Sequence, residues 1–213
     1  MLVYYITDRT QFPGNEDQRR QQLLARIGWA AQCGVDFIQL REKDLCGREL
    51  ETLARKAMEA TRTGGHKTRL LINSRTDIAL AVGAGGVHLR SNDISPADLR
   101  RLWRIAGIES EPTLAVSCHS QQEVVAAQTA GADLAVFAPV FAKKDTPGTP
   151  GVGLEALHAA CQHDIPVLAL GGITWENANS CLHAGAKGIA GIRIFQEGNL
   201  EETVPRLRAL AAG

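Results

Sequence analysis

Short apolar runs alternate with longer segments of helical spacing along almost the whole chain. The runs are LVYYI (2–6), VDFIQL (35–40), TRLLIN (68–73), GVHL (86–89), PTLAVS (112–117), DLAVF (133–137), PVLAL (166–170) and GIAGI (188–192). Such short, continuous apolar runs suit strands of a parallel sheet that is covered on both faces. Between them, residues 16–33 carry Leu23, Leu24, Ile27 and Ala31 at helical spacing, and residues 47–62 carry Leu50, Leu53, Ala54 and Ala57. The same period predicts helices over 75–82, 95–105, 120–130, 153–162, 175–184 and 199–211. Start signals support three of them: Ser95-Pro96, Ser120 with Glu123 as a capping box, and Thr174 before Trp175. Several helices end near a glycine (Gly34, Gly64, Gly131 and Gly185), where a left-handed residue closes the last turn.

Eight strand–helix units predict an α/β fold with right-handed crossovers, and that number favours a closed (β/α)8 TIM barrel of eight parallel strands over an open sheet. At 213 residues the chain is short for that barrel, so its loops must be short. The units occupy residues 1–213 with no linker or charge block between them, which predicts a single TIM-barrel domain. One long irregular segment remains, residues 138–152. It follows the sixth strand, on the face where barrel enzymes carry their chemistry.

Composition narrows the partners. Lys plus Arg and Asp plus Glu both number 23, so the formal net charge is zero. A nucleic-acid binder normally shows a basic excess, so a general nucleic-acid binder is not expected, though a local basic pocket for phosphates remains open. No apolar stretch approaches membrane-spanning length. The start, MLVYYITDRT, lacks the basic, apolar and small-residue sections of a secretion signal. Five scattered cysteines (Cys33, Cys46, Cys118, Cys161 and Cys181) with no CxxC pair suit reduced thiols in a cytoplasmic protein and give no structural zinc spacing. Oligomeric state is left open, with a homodimer as one option.

In a barrel enzyme the polar residues at the C-terminal ends of the strands converge on one site. Strand two ends in Gln39-Leu40-Arg41-Glu42-Lys43-Asp44, and alternation puts Gln39, Arg41 and Lys43 on one side. An arginine fork and a lysine point charge suit a diphosphate, unless Glu42 and Asp44 neutralise them. Strand three ends in Asn73-Ser74, where Asn73 either caps the next helix or binds the edge of a heterocycle. After strand four, Asp93 either holds a Mg²⁺ that also touches phosphate oxygens or serves as a loop or cap carboxylate. His88, inside an apolar run, reads as a packed barrel histidine. Strand five ends in Ser117-Cys118-His119-Ser120, offering a phosphate contact at Ser117 and a proton carrier at His119. No GxSxG elbow accompanies them, so a serine hydrolase is not indicated. The 138–152 loop adds Lys143, Lys144, Thr146 and Thr149. Gly171-Gly172 after strand seven and Ile192-Arg193 after strand eight lie where barrels of this kind cradle phosphate on backbone amides.

The ordered set of strand ends resembles the thiamine phosphate synthase family and its relative, the thiazole tautomerase. The matching pieces are YYITD (4–8), QLREKD (39–44), LIN (71–73) with DIAL (77–80), GVHL (86–89) with Asp93, VSCHS (116–120), GAD (131–133), PVF (139–141), GLEAL (153–157), PVLALGGIT (166–174) and GAKGIAGI (185–192). The resemblance implies a transferase of thiamine biosynthesis (thiamine-phosphate diphosphorylase) that joins hydroxymethylpyrimidine diphosphate to thiazole phosphate, with Mg²⁺ assisting departure of pyrophosphate. It implies that Gln39, Arg41, Lys43 and Asn73 hold the pyrimidine diphosphate, that Ser117 and Lys144 (or Lys143) contact it, and that Asp93 binds the metal. It places the thiazole phosphate at Gly172 and the Ile192-Arg193 backbone. Three positions depart from the family. Ser74 stands where the family has its second metal-binding Asp, and a hydroxyl is a poorer ligand for a hard cation. The threonine-rich loop motif is shortened to Ala142-Lys143-Lys144, and Arg193 replaces a serine. The alternatives are a tautomerase acting on the thiazole carboxylate phosphate, with His119 moving the proton, and a non-catalytic phosphate-ligand binding relative.

Overall fold

The computed structural model describes residues 1–62, 67–142 and 150–210. Eight parallel strands close into a barrel in chain order: β1 (Leu2–Ile6), β2 (Phe37–Leu40), β3 (Arg69–Asn73), β4 (Gly86–Leu89), β5 (Thr113–Cys118), β6 (Leu134–Phe137), β7 (Val167–Ala169) and β8 (Gly188–Gly191). Around them lie α1 (Glu16–Gln32), α2 (Gly47–Arg62), α3 (Thr76–Val82), α4 (Pro96–Ile105), α5 (Gln121–Thr129), α6 (Gly153–Ala160), α7 (Trp175–His183), α8 (Arg193–Gln196) and α9 (Leu200–Leu210). Every expected strand and helix is present, with ends shifted by a few residues. Two elements are too short for periodicity to reveal: α8 and a 3-10 turn over Arg9–Gln11.

Alternation along the strands builds two apolar layers. Leu40, Leu70, Ile72, Val87, Leu114 and Val116 face outward onto helix residues such as Leu23, Ile27, Leu53 and Trp103. Tyr4, Ile6, Leu71, Ala115, Leu134, Val136, Leu168 and Ala190 fill the barrel interior. The register places Gln39 beside Ile6 and Leu71, Asn73 beside His88, and Ser117 beside Val136. These inward-facing polar side chains therefore cluster toward the C-terminal mouth, above an apolar plug.

Local signals act largely as expected. Ser95 Oγ accepts from the Asp98 amide at 3.1 Å, with Pro96 opening α4. Gly34, Gly131 and Gly185 take φ of 79°, 81° and 107° after their helices, while Gly64 lies outside the described residues. The capping box at α5 is a correction. Ser120 Oγ does accept from the Glu123 amide at 3.2 Å, but the Glu123 carboxylate accepts from the amide of His119, at 2.6 Å, rather than from that of Ser120. The second strand also begins later than its apolar run. Asp36 turns its carboxylate to accept from the Val3 amide (2.7 Å) and the Arg208 guanidinium (3.0 Å), bracing the barrel floor.

Candidate active site

The QLREKD segment leaves β2 at the mouth. Its carboxylates form no ion pair with Arg41, the pairing that adjacency suggests. Glu42 and Asp44 turn instead to Arg9, which follows β1 and is 3% exposed. The Arg9 guanidinium donates to Glu42 at 3.1 Å, to both Asp44 oxygens at 2.7 and 2.6 Å, and to Glu16 at 2.8 Å. Thr7, fully buried, donates to Glu42 at 2.5 Å and accepts from the Arg41 amide at 3.0 Å. The hydrogen bond to Asp44, followed by those to Glu16 and Glu42, raises the Arg9 pKa above its ordinary value against the opposing effect of burial. Arg9 in turn holds the Asp44 and Glu16 carboxyls below the usual carboxylate range. Arg41 is half-buried and makes no ion pair among the described residues, and Lys43 lies exposed in the turn that follows.

Two polar pairs line the inner wall. Gln39 Nε2 donates to Asn73 Oδ1 at 2.8 Å, so Asn73 braces Gln39 and does not cap α3, whose start follows Arg75. Gln39 Oε1 is buried with no hydrogen-bond partner among the described residues, an acceptor that a ligand N–H would satisfy. Across the barrel, His88 Nδ1 lies 2.7 Å from the Tyr4 hydroxyl and Nε2 lies 2.8 Å from Ser117 Oγ. His88 is thus the packed barrel histidine that its apolar surroundings predict, yet it touches a candidate site residue. Burial, and then the charge of Arg41, lower its pKa to about 3, so the ring is neutral at neutral pH.

Ser74 and Asp93 meet beside this wall. Ser74 has φ 57°, a left-handed backbone in which Asn and Asp are far more at ease than Ser. Its hydroxyl is buried and has no hydrogen-bond partner among the described residues. It lies near enough to Asp93 to lower that carboxyl's pKa, which we read as proximity rather than a formed bond. Asp93 accepts from the Arg90 amide at 2.9 Å and from the Arg90 guanidinium at 2.8 and 3.1 Å. Burial raises the Asp93 pKa, but the Arg90 contacts outweigh it and leave the carboxyl below its ordinary range. Asp93 is not the helix cap, a role that Ser95 fills.

The remaining candidates stand around the same rim. His119 Nδ1 lies 2.6 Å from the Ala138 carbonyl. That oxygen can only accept, so Nδ1 carries a proton. Gly171 and Gly172 have φ of 97° and 63°. A Cβ on Gly172 would lie 2.7 Å from the Ala142 carbonyl and 2.8 Å from Phe141 Cβ, so the approach of the loop after β6 already requires this glycine. Ile192 is half-buried at the turn into α8, and Arg193 is exposed at the start of that helix. Lys143, Lys144, Thr146 and Thr149 lie outside the described residues. Thr7, Arg9 and Tyr4 escape a reading that takes strand ends from β2 onward. The sequence clue is the polar Thr7-Asp8-Arg9 run directly after the first apolar strand.

A closed parallel barrel with an arginine and buried polar groups gathered at its C-terminal mouth defines a barrel enzyme of anionic small molecules. The sequence matches the thiamine monophosphate synthase family over residues 3–195, and the chain belongs to that family. It is 37% identical over 210 residues to a thiamine-phosphate synthase of Methanoculleus marisnigri, covering 97% of this chain and 93% of the relative. It is 34% identical over 201 residues to that of Caldanaerobacter subterraneus, covering 93% of this chain and 88% of the relative. Among solved structures, the thiamine phosphate pyrophosphorylase from Pyrococcus furiosus superposes with a TM-score of 0.79 at 27% identity, covering 99% of this chain and 95% of that one.

Proposed function

We propose that the chain is a thiamine-phosphate synthase, a transferase that joins hydroxymethylpyrimidine diphosphate to thiazole phosphate and releases pyrophosphate. The observation that carries the reading is the engagement of Glu42 and Asp44 by Arg9, which leaves Arg41 at the mouth with no carboxylate partner among the described residues. The guanidinium then faces an anionic substrate, with Lys43 and, from the loop outside the described residues, Lys144 as further cations. Gln39, with its orphan acceptor, and Asn73 hold the pyrimidine edge. Ser117 hydrogen-bonds the diphosphate. The backbone at Gly172, Ile192 and Arg193 takes the thiazole phosphate. As the carbon–oxygen bond breaks, charge grows on the departing diphosphate, so Arg41 and Lys43 stabilise the transition state more than the bound substrate.

Mg²⁺ suits this site as an ion held largely by its substrate. Among the described residues no cluster of three metal-binding side chains exists, but one carboxylate, Asp93, stands beside the orphan Ser74 hydroxyl. Mg²⁺ is commonly held by one or two carboxylates together with phosphate oxygens and water. When bound it would neutralise charge on the diphosphate. Ser74→Asp supplies the second carboxylate and suits the left-handed backbone, so we expect the Mg²⁺ concentration for half-maximal turnover to fall on the order of tenfold. A larger rise in melting temperature on adding Mg²⁺ should accompany it. Unchanged Mg²⁺ dependence of both quantities would show that Ser74 is not at the metal position.

The anchoring of the His119 ring by the Ala138 carbonyl favours a second reading, the tautomerase, in which its Nε2 exchanges the proton. His119→Ala separates the two. The synthase reading expects no isomerisation of the thiazole carboxylate phosphate by the parent chain. The tautomerase reading expects isomerisation of the thiazole carboxylate phosphate by the parent chain and its loss in the variant. For the location of the chain, no helix among the described residues is long and apolar enough to cross a membrane. All five cysteines are free, and burial raises the Cys118 and Cys181 thiols to about 12. Five unpaired thiols support a cytoplasmic setting, where cysteines stay reduced.

A further inference from the structure

The chain of contacts from Tyr4 through His88 to Ser117 has a direction that its burial determines. The Tyr4 hydroxyl is fully buried, and its only hydrogen bond among the described residues is to His88 Nδ1, at 2.7 Å. If Nδ1 carried the proton, the Tyr4 O–H would be a buried donor with no acceptor, the costly arrangement. Tyr4 therefore donates to Nδ1. The neutral ring then carries its proton on Nε2 and donates it to Ser117 Oγ, at 2.8 Å. With Oγ already accepting from the ring, the Ser117 proton cannot be spent on His88. Ser117 is only half-buried and faces the mouth, so that proton points to whatever occupies the site. Reversing the chain would leave Ser117 as a donor to the histidine and turn its lone pairs toward an anion.

We propose that Tyr4 and His88 are positioning residues that fix the hydrogen-bond direction at Ser117, so that its hydroxyl donates to an anionic oxygen of the bound diphosphate. The edge-on packing of Tyr4 against Phe37, with ring centroids 5.8 Å apart, keeps the phenol aligned for this task. The proposal rests on the synthase reading only for the identity of the anion.

Two measurements test it without turnover. The ¹⁵N spectrum of the His88 ring at neutral pH should show a protonated Nε2 and a bare Nδ1. A protonated Nδ1 with bare Nε2 would overturn the proposal whatever the enzyme does. Binding of inorganic pyrophosphate, followed by calorimetry, should weaken about tenfold in Ser117→Ala, the worth of one hydrogen bond to a charged group. Tyr4→Phe should weaken it by a similar factor. The double variant should be no weaker than Ser117→Ala alone, because Tyr4 acts only through Ser117. Additive losses would mean that Tyr4 merely supports the barrel, and would sink the idea. If the parent chain makes no thiamine phosphate yet these results hold, the synthase reading fails and the directed hydroxyl stands.

Discussion

Arg41→Ala is expected to lower kcat/KM by about 10²–10³-fold, in the range measured for the loss of one preorganised charge-stabilising donor. Arg41 makes no ion pair among the described residues, and its own amide, not its side chain, is the group held by Thr7. The fold therefore gives up little, and the melting temperature should move by less than about 2 °C, as for a surface substitution. The Arg41 charge also bears on the buried wall of the mouth, where, after burial itself, it disfavours the charged form of His88. Arg41→Lys should recover part of the loss. It restores a positive charge but not the planar fork that binds two oxygens of a diphosphate. Steady-state kinetics with the pyrimidine diphosphate varied would check this, and a decrease under about threefold would remove Arg41 from the chemistry.

The second large effect concerns stability. Arg9→Met should cost about 3–5 kcal/mol, the range for removing one partner of a buried ion pair. At roughly 2–4 °C per kcal/mol for a chain of this size, that is a fall in melting temperature of roughly 6–20 °C. Asp44 makes the shortest contacts to Arg9 and is the largest cause of its raised pKa, but its side chain is 59% exposed and solvent screens the pair. Glu42 decides the outcome, because its side chain is 1% exposed and would keep an uncompensated charge. Adding Glu42→Gln to Arg9→Met should therefore recover a substantial part of the loss. Thermal unfolding of the two variants checks this. No recovery in the double variant would show that Arg9 stabilises through Asp44 and Glu16 instead.

The fold was legible because each strand–helix unit announces itself locally. The apolar run at 86–89 and the Ser95-Pro96 start, for example, need no distant partner to be read. The candidate site was legible only as a set of strand ends: Gln39, Asn73, Ser117 and Asp93 all stand at the C-terminal mouth. What stayed hidden is pairing between elements. Glu42 lies next in sequence to Arg41, yet it bonds Arg9, 33 residues away. Nothing in a periodic pattern encodes that choice, which the burial of Arg9 in the turn after β1 imposes. His88 reads as core because it is core, and only the register that sets β4 beside β5 shows it reaching Ser117. Ser74 is visible as a missing carboxylate, but its left-handed backbone is a property of the turn into α3.

The central claim is that this barrel transfers the pyrimidine group and releases pyrophosphate. The most direct test is ³¹P NMR of the purified chain incubated with hydroxymethylpyrimidine diphosphate, thiazole phosphate and Mg²⁺. The account predicts pyrophosphate and thiamine phosphate resonances growing in equal amounts, with both absent when either substrate is withheld. Unchanged substrate resonances at high enzyme concentration, or release of pyrophosphate without thiamine phosphate, would contradict it.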